Sequence, residues 1–285
     1  RIDLWPSAEG ASELAVTVHH VIADATSMGI LFSELLTAMS GRVADLAPVV
    51  HRFADYVSWL DRRWSATERA DALDRWMERL EGAPALLDLP LDRRRPARQR
   101  FAGDTVSREF DQRCSAGLER LAREVKATPF MAWLSLVAVV LGRQARAEDL
   151  VLGVPVANRS RPETQGVIGF CLNTLPLRLR PRGTVSFLEL VRETRDHFLA
   201  ALGDAELPFE LIVDAVRPVR DLSHSPIFQV LVTYDAEESE NESSAPGFAV
   251  QPLVASGVTS QFDLSMHVRA RGEHTDVTIE YCTAL

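Results

Sequence analysis

Hydrophobic and polar positions divide this chain into short periodic stretches that predict an interleaved series of strands and helices. Leu14 to His19 alternates weakly and reads as a strand, whereas from Ser27 the apolar residues Met28, Leu31, Leu35 and Met39 recur on one side of a helix. Ser27 is the expected cap of that helix, which runs to about Ser40 with Gly41 as its stop. Phe53, Val57, Leu60 and Trp64 repeat at helical spacing, as do Leu73, Trp76, Met77 and Leu80 before Gly82. Residues 83 to 103 then carry Pro84, Pro90 and Pro96 with the basic run Arg93, Arg94, Arg95; proline ends both helices and central strands, so a boundary is placed here.

Beyond that boundary, Val106, Arg108 and Phe110 share one face of a strand, Leu118, Leu121 and Val125 mark a helix, and Thr128 with Pro129 opens a strongly apolar one. The run LVLGVPV at 150 to 156 is apolar throughout, as in a strand covered on both faces. IGFCLNTLPLRLR ends in alternating leucine and arginine, and Ser186 with Glu189 forms a capping box for a helix through about Leu202. A short helix follows Pro208. Strands are expected at 227 to 234, 248 to 254, 262 to 270 and 276 to 282, with EESENESSAP as an acidic, serine-rich flexible loop among them. Helices and strands alternate in both halves, so the fold class is α/β, and the late alternating strands favour mixed over purely parallel sheets.

Composition narrows the partners. A formal net charge of -9 argues against a nucleic-acid surface, which needs a basic patch. Of the 31 basic residues, all but Lys126 are arginine. Cys114, Cys171 and Cys282 are far apart and odd in number, which fits reduced thiols in a cytoplasmic protein. No run of about eighteen apolar residues and no leader-like amino-terminal segment occurs, so neither membrane spanning nor secretion is expected. The chain begins with Arg1 and reads as a piece of something larger.

The candidate chemistry lies in HHVIADATS at 19 to 27, at a strand-to-loop-to-helix junction. Histidine titrates near neutral pH and suits proton handling during acyl transfer. On an extended strand His19 and His20 face opposite sides, so one faces a substrate channel and the other is packed. Asp24 either holds the loop by pairing with an arginine or orients an imidazole as a hydrogen-bond acceptor. No further histidine or cysteine stands nearby at zinc-like spacing, so no metal is expected.

An ordered series of motifs resembles the condensation domain of nonribosomal peptide synthetases. HHVIADATS is similar to that family's HHxxxDG signature, FADYVSW at 53 to 59 to its YxDYxxW, and LDLPLDRRRP at 87 to 96 to its LPTDRPRP bridge. GVPVANRSRPE at 153 to 163, IGFCLNTLPLRL at 168 to 179, LPFE at 207 to 210, RDLSHSPIFQV at 220 to 230 and SQFDLSM at 260 to 266 follow in family order, so the resemblance covers essentially the whole chain. It implies two chloramphenicol-acetyltransferase-like lobes with mixed sheets in a V-shaped pseudo-dimer. Residues 1–92 would be the later part of the first lobe and 93–285 the second, lacking its final helices.

The implied reaction is attack by the α-amine of a carrier-bound aminoacyl acceptor on a carrier-bound acyl or peptidyl thioester. His20 matches the family's active-site histidine, His19 and Asp24 match structural positions, and Arg159 is either the partner of Asp24 or a lobe-contact residue. A backbone amide near Ala25 is a candidate for binding the oxyanion. Asn173 and Thr174 fall where the resemblance places the crossover near the tunnel; they line it or make ordinary loop hydrogen bonds, and Ser225 before Pro226 reads as tunnel candidate or turn residue. No cofactor is bound directly. A phosphopantetheine arm is presented by donor and acceptor peptidyl carrier proteins, beside an adjacent adenylation domain.

Two departures bear on activity. Ala25 stands where the family has glycine, a residue used where φ is positive or backbone must approach a ligand, and a methyl there narrows donor access unless φ is negative. Asp204, Ala205 and Glu206 stand where His-Gln-Asp is common. Relative to the family the chain also lacks the segment before the histidine motif and the closing helices; if these residues were the complete polypeptide, unpaired strands and exposed apolar surface would threaten stability and activity. The alternatives are a catalytically silent recruitment domain of the same fold, an epimerization domain, and a relative acting on soluble acyl-CoA.

Overall fold

The computed structural model describes residues 1–6, 12–219, 221–236, 259–271 and 274–285. In chain order its elements are β1 (Ile2–Pro6), β2 (Ser12–Val16), α1 (Ala25–Met39), α2 (Phe53–Arg63), α3 (Ala66–Leu80), β3 (Gly103–Phe110), α4 (Gln112–Glu124), α5 (Pro129–Ala145), β4 (Leu150–Val156), α6 (Pro162–Gln165), β5 (Asn173–Leu179), α7 (Phe187–Leu202), α8 (Phe209–Val216), β6 (Val230–Ala236), β7 (Leu264–Arg271) and β8 (His274–Cys282). The strand expected at 248 to 254 and the acidic loop 237 to 246 lie outside the described residues.

Helix starts follow local side-chain chemistry. Ser65 with Glu68 and Ser186 with Glu189 close capping boxes on α3 and α7, and Thr128 caps α5 with Pro129 in its first turn. The start of α1 differs from expectation. Its cap is Asp24, whose carboxylate accepts the Ser27 N–H at 2.8 Å, so the helix begins at Ala25, two residues before Ser27. Gly41 and Gly82 adopt φ of +73° and +63° just after α1 and α3, the left-handed conformation that stops a helix at little cost to glycine.

The chain divides into two compact units. The first contains Arg1–Trp64 and Ala157–Leu172. In it β1 and β2 form an antiparallel ribbon with Ile2, Leu4 and Trp5 exposed, while Tyr56 of α2 packs with Val167 and Cys171 against Phe53, Trp59 and Leu60. The expected division after Asp92 does not coincide with this boundary, because α3 is tied into the second unit: Arg75 and Arg79 donate to the buried Asp204 carboxylate at 2.5 and 2.8 Å. Burial alone would raise the Asp204 pKa, but the bonds and charges of these two arginines hold it below its ordinary value.

The second unit is built on a six-stranded mixed sheet in the order β3-β8-β7-β6-β4-β5. Pairing is parallel between β6 and its neighbours β7 and β4 and antiparallel elsewhere. Leu150 to Val154 of β4 are buried at every position, as an unbroken apolar run requires. Leu118 and Ala122 of α4, Ala132 and Trp133 of α5 and Val191 of α7 form one core with Val268 and Val277 of β7 and β8. Loops are held by buried polar groups: Arg95 forks onto Asp263 at 2.9 and 2.5 Å, and the Gln229 amide accepts from the Leu87 N–H while donating to the carbonyls of Ala85 and Ser225. Arg95, which sequence placed in a proline-rich basic boundary, is thus a fixed part of this unit.

Gly153 sits where β4 meets the Phe228 ring. A Cβ at that position would fall 2.2 Å from the ring, and Phe228 is itself wedged between Phe209 and Phe262 with centroids at 5.6 and 5.3 Å. Gly153→Ala is expected to cost about 1–3 kcal/mol through overpacking, read as a melting temperature several degrees lower by calorimetry; an unchanged melting temperature would contradict this packing.

Candidate active site

The chain leaves β2 at Val16 and reaches α1 through a single 3₁₀ turn, His20–Ile22. The strand therefore ends before the two histidines, and strand alternation does not separate them as expected. Local hydrogen bonds do. His19 Nδ1 accepts the Val21 N–H at 3.2 Å and so caps the turn, while His20 Nδ1 lies 2.9 Å from the Ala23 carbonyl oxygen. A carbonyl can only accept, so this contact calls for an N–H at His20 Nδ1; in the neutral ring Nε2 then holds the lone pair. Both residues are exposed, where one was expected to be packed, and the His20 ring meets the Phe170 ring edge-on at 5.1 Å.

Asp24 is 3% exposed and has a full set of donors. Its carboxylate accepts from the Ser27 N–H at 2.8 Å, the Ser27 hydroxyl at 2.7 Å, the Cys171 N–H at 3.1 Å and Arg159 Nη2 at 2.9 and 3.1 Å. Burial would raise its pKa, but the two bonds from Ser27 and the Arg159 charge outweigh this and hold the carboxyl below its ordinary value. It is a fixed anion and a poor proton acceptor.

Arg159 links this anion to its own segment. Nη1 donates to the carbonyls of Thr164 and Val167 at 2.8 and 2.6 Å, and Nη2 also reaches Ser27 Oγ at 2.9 Å. Ser27 Oγ in turn accepts the Gly169 N–H at 3.0 Å and lies 2.8 Å from the Gly169 carbonyl. The result is a clasp between the start of α1 and residues 157–172. Gly169 is required for its closeness, since a Cβ there would lie 2.2 Å from the Phe53 ring. The Arg161 guanidinium stacks over Trp59 at 4.3 Å and fastens the same segment to α2. Cys171 is buried within this clasp, and burial pushes its thiol pKa up, so it is not poised as a nucleophile.

Ala25 is the first residue of α1, exposed, and does not have positive φ. No backbone strain therefore follows from alanine at the position where glycine was expected. The N–H groups of Ala25 and Thr26 fall in the first turn, where no intrahelical acceptor exists and the helix dipole favours a negative atom.

The other predicted residues stand in the second unit. Asn173, at the start of β5, donates Nδ2 to the carbonyls of Ala205 and Leu207 at 2.8 and 2.7 Å and accepts the Phe209 N–H on Oδ1 at 3.1 Å, so its amide orders the turn into α8. Thr174 is half-buried and pairs with Pro155 across β4 and β5. Ser225 acts through its carbonyl, which accepts from Gln229 Nε2 at 3.0 Å. Sequence reading missed Ser27 as the junction of the clasp and Phe170 as the neighbour of His20. The Asp-x-x-Ser spacing of Asp24 and Ser27 was an available signal for the first; nothing in the sequence marks the second. Among the described residues, no three His, Cys, Asp or Glu side chains cluster as metal ligands would.

Comparison with known proteins gives a consistent picture. A family model described as Condensation domain matches residues 1–285. The chain is 36% identical over 290 residues to malpinin synthetase of Mortierella alpina, covering 100% of this chain and 4% of the relative, and 37% identical over 277 residues to a linear gramicidin synthase of Brevibacillus parabrevis, covering 95% and 5%. It thus spans only a small part of these relatives. The X-domain from teicoplanin biosynthesis superposes with a TM-score of 0.89 at 25% identity, over 100% of this chain and 67% of that one.

Removing one partner of a buried, hydrogen-bonded ion pair typically costs about 3–5 kcal/mol, and Arg159→Met is expected to fall in that range. The charged form of Asp24 contributes stability that is complete above about pH 3.8 and is lost as pH falls through its lower folded value. Asp24→Asn is therefore expected to flatten this acid limb in circular-dichroism titrations; an unaltered limb would show that the pair is not what Asp24 contributes.

Proposed function

The chain belongs to the condensation-domain family, and we propose that it forms amide bonds in nonribosomal peptide synthesis, moving a carrier-bound acyl or peptidyl group onto the α-amine of a carrier-bound aminoacyl acceptor. The acceptor nitrogen bonds to the thioester carbonyl carbon and the carbon–sulfur bond breaks. The amine proton passes by way of His20 Nε2 to the departing thiolate, which leaves as a thiol. The observation that carries this reading is the 2.9 Å contact between His20 Nδ1 and the Ala23 carbonyl oxygen: it calls for the N–H on Nδ1, which in the neutral ring leaves Nε2 as the proton-accepting atom.

The remaining residues act by position. The Asp24–Arg159–Ser27 clasp holds the turn that bears His20, and His19 closes that turn by accepting the Val21 N–H. First-turn amides at Ala25 and Thr26 are suited to the oxyanion of the tetrahedral intermediate. In this reading the chain binds no cofactor of its own. Donor and acceptor peptidyl carrier proteins deliver their substrates on phosphopantetheine arms, next to an adenylation domain and in the cytoplasm.

The test uses the intact synthetase with loaded donor and acceptor carriers, and mass spectrometry of the product. His20→Ala is expected to lower product formation by about a hundredfold to ten-thousandfold, the range for loss of a general acid–base group, with carrier loading unchanged. Unchanged product formation would remove His20 from the reaction. Deuterium entering the donor α-carbon without amide formation would point to epimerization.

A further inference from the structure

A cavity of about 410 Å³ opens in the second unit between the end of α5 and the start of α7, and its charge is unlike that of the chain as a whole. Arg143, in the last turn of α5, and Arg146, just past its end in the left-handed conformation, line it together with Arg182 from the connection into α7. All three are exposed, and among the described residues none forms an ion pair. Nearby arginines behave differently: Arg178 and Arg180 both face Asp149, at 2.5 and 3.6 Å. Glu148 is the one acid in the lining, and its carboxylate accepts the Gly183 N–H at 3.4 Å. The apolar part of the lining includes Val185, Phe187 and Leu190.

From this arrangement we infer that the cavity binds a small organic phosphate, a phosphate monoester with an apolar body. Three guanidiniums against one carboxylate leave a local charge of about +2, which matches the roughly −1.5 to −2 carried by a phosphate monoester near neutral pH. A carboxylate monoanion would leave much of that charge unbalanced. Guanidinium forks pair with phosphate oxygens in a bidentate manner, and more than one can share a phosphate. Phe187 and Leu190 supply the surface for the body of the ester. The cavity falls within the roughly 300–1,000 Å³ of small-molecule sites, which favours a small ligand over a protein segment. This site is independent of the proposed condensation chemistry.

The experiment is isothermal titration of the intact chain with phenyl phosphate as probe, with phenol, inorganic phosphate, benzoate and an acidic peptide as comparisons. Saturable binding of phenyl phosphate is expected, about tenfold or more tighter than inorganic phosphate or benzoate and weakened about tenfold by Arg182→Gln. The triple variant Arg143→Gln, Arg146→Gln, Arg182→Gln should abolish it while leaving the melting temperature unchanged, since these side chains are exposed. Equal binding by the triple variant, absence of saturable binding by phenyl phosphate, binding of phenol as tightly as of its phosphate, or tighter binding of the acidic peptide would each overturn the inference.

Discussion

Much of the first unit depends on one buried charge. Asp24 is out of water, and an unpaired carboxylate there would cost several kcal/mol, so the fold must bring it a cation and enough N–H groups. Two of its donors come from the next turn of α1, through Ser27, and the others from 135 and 147 residues away, through Arg159 and the Cys171 N–H. Satisfying that charge fixes the start of α1, the path of residues 157–172 and the turn that carries His20. Attraction within the pair is only part of the effect, because desolvation opposes it. What also matters is that its donors come from two separate segments, so both must be in place for the anion to be satisfied.

The second unit uses the same device with different residues. Asp204 gathers Arg75 and Arg79, Asp263 gathers Arg95, and the side-chain amides of Asn173 and Gln229 each make three bonds to backbone groups. Asn173 and Gln229 answer backbone groups of loops, while the arginine–aspartate pairs join segments far apart in the chain. Such loops need not be long to be rigid; they need their polar groups answered. Against this background Arg143, Arg146 and Arg182 share a cavity with a single acid, Glu148, and among the described residues they form no ion pair.

The departures from family pattern become easier to weigh in this light. Alanine in place of glycine at position 25 looked like a threat to the site, but the residue is the first of a helix and not in the left-handed region, so its methyl costs the backbone nothing. Asp204, which stands where a different residue type was expected, is not a vestige: it is the anchor of α3. Both positions were noticed in the sequence for the right reason, a broken pattern, yet their consequences depended on local φ and on partners more than a hundred residues away.

Periodicity and capping signals carried most of the secondary structure. The apolar run of β4, the alternation of β7 and β8, the Ser186 capping box and the Thr128-Pro129 start are local features, decided by which backbone hydrogen bonds neighbouring side chains can satisfy or must avoid. The motif series carried the family, and it drew attention to His20, Asp24 and Arg159. The sequence could not say whether Asp24 and Arg159 meet, that Ser27 joins them, that Asn173 serves a turn, or that His20 presents Nε2. Most of these depend on contacts between segments far apart along the chain, such as Arg159 with Asp24 and Ser27, and even the local His20–Ala23 contact depends on the 3₁₀ turn that replaces the expected strand. They are fixed only when packing brings the segments together and every buried polar group must find its partner.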